Sequence, residues 1–240
     1  MTRTRLMLAS SLVTCEVMLV AGLVGPRLAE ASVVQYDSRS TFDASGGFIP
    51  VRWGVFGPAG TTISTPDTRL VDGLVIGVAS SQGVLARQNE GDGFTGDFAA
   101  GAHLLTDGGS ESDNLIVRFA IPVTGFGTQI DPHYITGGFS GEVDVFSITN
   151  TLLYEADFSG IATTAENNSA PFVGVESSLA DIGYAEFWIN QTTPGLPARS
   201  GALTINRLDV VDPVSVPEPP SAVVILTGLL AISLYRRHKA

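Results

Sequence analysis

From Phe48 to Val211 the chain is cut into short runs rich in β-branched and aromatic residues, separated by Gly, Asn, Asp and Pro. No run sustains a 3.6-residue apolar period with caps, so no substantial helix is expected. Strands are then the main means of burying these side chains. The candidates are Phe48–Val55, Leu70–Ala79, Asn114–Ile121, Glu142–Thr149, Thr151–Asp157, Ile182–Asn190 and Ala202–Val211. Glu142-Val143-Asp144-Val145 alternates as a half-buried strand does. Asn150 stands between two such runs and marks a hairpin. Glu176–Ile182 has room for one helical turn at most. Many short strands without helices predict an all-β fold, a single β-sandwich or jelly roll over residues 32–211. No internal repeat or linker divides this stretch.

Its charge is lopsided. Residues 32–235 carry 7 basic and 22 acidic side chains, and Lys239 is the sole lysine of the chain. Such a domain offers no electrostatic footprint for nucleic acid. It is also repelled by anionic membrane surfaces and acidic polymers. Neutral glycans and cation-bridged partners stay compatible with it.

Residues Gly91 to Gly96 match G-x-G-x-x-G, but no strand–turn–helix context surrounds them, so a dinucleotide site is not expected. The same stretch is dense in oxygen ligands. Glu90, Asp92 and Asp97 are candidate calcium ligands, since Ca²⁺ takes six to eight oxygens and tolerates loops. The spacing is not that of an EF-hand, and a solvated acidic loop is the plainer alternative. No catalytic residue is assigned. With so many acids, carboxylate pairs suited to glycoside hydrolysis are inevitable and discriminate nothing. His103 and His133 are the only histidines before the C-terminal tail, and neither sits in H-E-x-x-H. No G-x-S-x-G surrounds a serine. Trp53, Trp188, Tyr134, Tyr154 and Tyr184 can stack on sugar rings, although Trp188, placed in a strand, is expected in the core.

The two ends carry the most specific signals. Arg3 and Arg5, the mostly apolar stretch Leu6 to Leu23 and the small residues of Ala29-Glu30-Ala31 read as a signal peptide over 1–31. Cleavage is expected between Ala31 and Ser32. Cys15, the only cysteine, falls inside this segment, so thiol chemistry is absent from the mature form. At the other end, residues 212–220 form a proline-rich stalk. Ala222 to Tyr235 is an uncharged apolar run, closed by the basic residues Arg236, Arg237 and Lys239. As a helix the run spans only about 21 Å, short of a hydrocarbon core of roughly 30 Å. The terminal cations favour a cytoplasmic C-terminus with the domain outside.

Pro217-Glu218-Pro219, the apolar helix within 221–240 and the basic stop together resemble the PEP-CTERM sorting signal. That resemblance implies recognition of Pro217, Glu218 and Pro219 by an exosortase in an exopolysaccharide-producing bacterium. It implies a transmembrane anchor before processing, then a cell-surface or extracellular location. The body also resembles ectodomains common among PEP-CTERM proteins, through Val123–Gly127, Phe172–Val175, Tyr184–Ile189 and Leu203–Val211. Those ectodomains often carry an Asp near where Asn206-Arg207 stand here. The expectation is a non-enzymatic envelope or matrix protein associated with exopolysaccharide or binding glycan. Its rival is an extracellular glycan-active hydrolase on a jelly-roll fold.

Overall fold

The computed structural model describes residues 31–107, 114–133, 136–190 and 202–211. The expected signal peptide up to Glu30, the stalk 212–220, the helix 221–240 and Tyr134 lie outside these residues. Among the described residues no helix is long and apolar enough to cross a membrane.

The chain begins with β1 (Val33–Tyr36) and a short helix α1 (Arg39–Asp43), whose first turn is capped by the Ser38 side chain. Next come β2 (Phe48–Val51), a 3-10 turn (Trp53–Phe56), β3 (Thr61–Ser64), β4 (Asp67–Val71), β5 (Leu74–Ser80), β6 (Val84–Glu90) and β7 (Gly93–Phe94). They are followed by β8 (His103–Asp107), β9 (Leu115–Val123), β10 (Gly125–Pro132), β11 (Gly137–Ser147) and β12 (Leu152–Ala162). The last are β13 (Phe172–Ser177), β14 (Ile182–Asn190), β15 (Leu203–Ile205) and β16 (Leu208–Val211).

These strands form a β-sandwich of two sheets. The larger runs β1-β13-β10-β15-β8-β6-β3, with β16 bonded to β10 and β2, and β7 to β6. The smaller runs β12-β11-β14-β9-β5-β4. Their inner faces share one apolar core. Phe126 of the larger sheet places its ring 6.0 Å from Phe119 and 6.0 Å from Phe187 of the smaller one. Val143, Val145, Ala185 and Leu115 surround this junction and are fully buried.

Strand β10 is buried at every position. Phe126, Thr128 and Ile130 face the core, so the period of two sends Gly127, Gln129 and Asp131 to the opposite face. That face is roofed. Phe42 of α1 and Phe172 pack over Gly127, where a Cβ would press on both rings. The Gln129 amide donates to the Ala170 carbonyl at 3.0 Å. The Asp97 amide donates to the Asp131 carboxylate at 2.8 Å. Farther along, His133 lies against Phe94, with ring centroids 4.9 Å apart.

The structure bears out the all-β reading and revises several elements. Leu70–Ala79 is not one strand. Asp72 and Gly73, at φ 47° and 90°, turn it into the β4–β5 hairpin, the primed turn that Asp-Gly favours. Asn150, at φ 61°, closes the β11–β12 hairpin as expected. Phe48–Val55 stops being a strand after Val51, and Trp53 enters the 3-10 turn. Ala202–Val211 breaks at Asn206-Arg207 into two strands, both bonded to β10. Glu176–Ile182 makes no helical turn, because Glu176 and Ser177 finish β13. Of the two tryptophans, Trp188 departs from its expected place in the core. Trp53 is fully buried and donates its indole N–H to the Asn206 carbonyl at 2.5 Å. Trp188 alternates with the core residues Phe187 and Ile189, so it lies on the outer face and is half-buried.

Replacing Phe126 by Ala is expected to cost about 3–5 kcal/mol, because a ring shared by both sheets leaves a cavity. Urea unfolding checks this. The midpoint should fall while the denaturant slope stays the same.

Candidate functional site

The segment that roofs β10 holds the first group of interest. After β6 the chain turns through Gly91 and Gly93, both at positive φ (79° and 90°), and folds back. This return brings Glu90 and Asp97 against Asp131, and all three are buried. Two successive backbone amides grip two of the carboxylates. The Gly96 N–H donates to Glu90 Oε1 at 2.8 Å, and the Asp97 N–H donates to Asp131 Oδ2 at 2.8 Å. The Phe98 amide also faces Glu90, more loosely. The Asp97 side chain accepts from the Thr163 amide at 2.6 Å and from the Thr163 hydroxyl. Glu90 Oε2 and Asp131 Oδ1 are buried and accept no hydrogen bond.

The electrostatics follow from this burial. Desolvation pushes the Asp131 carboxyl up to about 7; the Asp97 amide opposes the rise, while the Asp97 and Glu90 charges add to it. Glu90 is raised as well, chiefly by burial, with the Gly96 and Phe98 amides opposing and Glu166 and Asp97 contributing. His133 is lowered to about 4 by burial, so its imidazole is neutral at neutral pH.

Sequence reasoning singled out Glu90, Asp92 and Asp97. The structure brings Glu90 and Asp97 together but leaves Asp92 exposed in the turn, within the field of Arg87. Asp131 takes its place. It is 34 residues from Asp97 along the chain and sits in a strand whose alternation gave no sign of a metal site. A second acidic group, Glu142, Asp144 and Glu155 on neighbouring strands β11 and β12, has carboxylate oxygens within 4.8 Å of one another. Alternation along these strands could have signalled it, because acids at i and i+2 share a face. The G-x-G-x-x-G run forms the β6–β7 turn with no helix after it. Asp209 stands three residues beyond Asn206 and is held by Arg39 and Arg207, the latter at 2.8 Å.

Two clefts complete the picture. One, of roughly 600 Å³, lies where the edge strands β1 and β12 of the two sheets approach each other. Gln35, Asp37, Ser140, Asp157, Ser159 and Asn190 supply its polar groups, and Phe158, Pro171 and Phe172 supply apolar wall. The Gln35 amide donates to the Asp157 carbonyl at 2.8 Å and to Asp37 at 3.3 Å, tying the two rims together. None of these residues was assigned to a binding site from the sequence, because they converge from five separate segments. A second cleft of roughly 400 Å³ is lined by Phe94, Thr95, His133, Thr136, Thr163 and Thr164. His103 is exposed beside Arg52 and Arg207. The sorting residues Pro217, Glu218, Pro219, Arg236, Arg237 and Lys239 lie outside the described residues. Ser32 exchanges hydrogen bonds with Ser178, at 3.0 and 2.9 Å.

No protein-family model matches the chain, and no curated protein matches it. Among solved structures it is similar to a DUF4465 family protein from Bacteroides caccae, with a TM-score of 0.43 and 7% identity. That likeness covers 68% of this chain and 99% of that one. It is also similar to a family 11 carbohydrate-binding module from Clostridium thermocellum in complex with a β-1,3-1,4-mixed-linked tetrasaccharide. Here the TM-score is 0.29 and the identity 11%, over 65% of this chain and 97% of that one. A third likeness is to a glycoside hydrolase family 43 arabinoxylan arabinofuranohydrolase from Bacillus subtilis in complex with cellotetraose. It has a TM-score of 0.29 and 11% identity, over 68% of this chain and 43% of that one. Likenesses this remote assign neither family nor function.

Gly96 is the residue on which the acidic group turns. A Cβ there would collide with Asp131 Oδ2 and the Phe94 ring. Gly96→Ala is expected to destabilise by about 1–3 kcal/mol through overpacking. Gly138→Ala, with nothing near its added carbon, should stay within about 0.5 kcal/mol of the parent in the same denaturation experiment.

Proposed function

We propose that this chain is an exported, non-enzymatic envelope protein whose sandwich binds neutral glycan, such as a neutral exopolysaccharide, in the cleft between β1 and β12. The observation that carries the reading is the lining of that cleft. Carboxylates, amides and hydroxyls converge over apolar wall from Phe158, Pro171 and Phe172. Sugar hydroxyls both donate and accept, and this mixture of groups answers them. The surplus of acids disfavours a polyanionic ligand and leaves neutral sugars as the fitting class. The strongly displaced acid, Asp131, is shut away under the roof of β10 rather than presented in this cleft, which favours binding over catalysis.

The full-length chain tested against a panel of neutral glycans should bind at least one. Asp37→Ala and Asp157→Ala should each weaken binding about tenfold, the equivalent of roughly 1.4 kcal/mol. Absence of binding, or binding untouched by both changes, would sink the cleft assignment. Glycan cleavage that disappears in Asp37→Asn or Asp157→Asn would replace the binding reading with the hydrolase.

Export and sorting rest on the patterns at the two ends. Mass spectrometry of the protein from its native envelope should find an N-terminus at Ser32 and no peptides from Ala222 to Ala240. Recovery of those C-terminal peptides from the mature surface form would contradict processing.

A further inference from the structure

Residues 32–235 carry only 7 basic side chains, and four of them, Arg39, Arg52, Arg87 and Arg207, gather in one region with His103. The strand pairing explains part of this. Leu208 of β16 pairs with Val51 of β2, so the next residues along these antiparallel strands, Arg207 and Arg52, come side by side. The Trp53 indole N–H, donated to the Asn206 carbonyl, holds the 3-10 turn after Arg52 against the same spot. From β6 and β8 come Arg87 and His103. A carbon added to Gly54 of the turn would lie 2.8 Å from His103 Nδ1 and 3.9 Å from Arg87 Nη2, so both side chains reach the turn. Arg52, His103, Asn206 and Arg207, with Gly101 and Ala102, line a cleft of roughly 280 Å³.

These positive groups crowd one another. Burial lowers the His103 imidazole, and the Arg87 and Arg52 charges lower it further. Burial also lowers Arg207, with Asp43 opposing the fall and Arg52 adding to it. Arg39 is lowered by burial and then by Arg207, against Asp43. Compensation within the protein is partial. Asp209 pairs with Arg39 and with Nε and Nη2 of Arg207. Arg52 is exposed and makes no ion pair among the described residues. Arg87 is only 3% exposed, and no carboxylate among the described residues pairs with it. Its Nη1 donates to the Gln88 carbonyl at 2.5 Å and to the Asn89 side chain, while its buried Nε makes no hydrogen bond. A buried cation without a paired carboxylate is unfavourable, and nearby negative charge relieves it. Low-dielectric walls focus such a field into a cleft.

We propose that this cleft binds a single oxyanion of the carboxylate or phosphate type, held chiefly by Arg52, with His103 and Arg207 beside it and Arg87 behind. Arginine suits such a group because its planar fork matches two oxygens at once. The small cleft and the acidic remainder of the domain favour one isolated charged group over a polyanion. This cleft shares no lining residue with the one between β1 and β12, so the inference goes beyond the neutral-glycan reading and does not depend on it.

The test titrates the full-length chain at low ionic strength with sodium phosphate and, separately, with sodium glucuronate. Calorimetry and proton NMR of the imidazoles follow binding, and glucose is the neutral control. Saturable binding of at least one anion is expected, weakening as NaCl is raised. The tighter of the two names the source, a phosphoryl group or the carboxylate of an acidic sugar. Arg52→Gln should weaken binding about tenfold or more, because hydrogen bonds to a charged group are lost. Arg52 is exposed, so this variant should fold. Arg69→Gln, which removes the same charge from the Asp67 pair, should leave binding nearly unchanged. The imidazole resonance missing from His103→Gln should titrate at higher pH with anion bound, since negative charge favours the imidazolium. No saturable binding of either anion would overturn the proposal. So would binding retained in Arg52→Gln, equal loss in Arg69→Gln, equal heat from glucose, or a His103 titration that the anion does not move. Asp37→Ala should keep anion binding, which separates failure of this site from failure of the glycan cleft.

Discussion

The structure depends on one strand being buried on both faces. β10 donates Phe126 and Ile130 to the core between the sheets and presents Gly127, Gln129 and Asp131 to a roof. It bonds to β13 on one side and to β15 and β16 on the other. Every backbone group of such a strand must find a protein partner, because water does not reach it. Its polar side chains face the same demand. The Gln129 amide meets it by donating to Ala170, while Asn206 donates to Gln129 at 2.6 Å. Asp131 meets half of it, through the Asp97 amide. The break between β15 and β16 serves the same strand. Asn206 sits at that break, its side-chain oxygen accepts from the Gln129 backbone N–H at 3.1 Å, and its carbonyl accepts from the Trp53 indole.

Charge is distributed unevenly around this frame. Several arginines are committed to local contacts. Arg39 and Arg207 hold the fully buried Asp209, and Arg118 lies 4.2 Å from the centre of the Tyr184 ring. Many acids stay on strand faces and turns, where solvent screens them and negative charge guards exposed edges against unwanted pairing. Glu155 and Asp157 do this on the edge strand β12. Glu90, Asp97 and Asp131 differ in that all three are enclosed, whereas buried Glu142 and Asp144 lie beside the exposed Glu155. The cleft at the β1–β12 edge and this enclosed group are therefore different kinds of site. One offers hydrogen bonds to a ligand from outside, and the other is enclosed under the roof of β10.

Much of the architecture is legible from local chemistry. The Asn150 turn is readable because a residue at positive φ is tolerated there and alternating runs flank it. Asp72-Gly73 carried an equally strong turn signal, but the apolar residues around it read as one run. Trp188 was misplaced because a lone aromatic in a strand does not declare its face. Its neighbours Phe187 and Ile189 do so only once the register with β11 is known. The enclosed acids were partly legible, since the crowded oxygens of a glycine-rich loop drew attention to Glu90 and Asp97. Asp131 was not, because it is brought to the loop by a strand whose sequence looks half exposed.

By itself the sequence determined the strand content, the single cysteine, the acidic balance and the patterns at the two ends. These follow from residue chemistry and short-range periodicity, which need no knowledge of distant contacts. Only the tertiary structure decided which face of each strand is covered. Alternation tells two faces apart but does not say whether the polar one meets water or a roof. For β10 it meets a roof, and that enclosure turns three ordinary acids into one buried group.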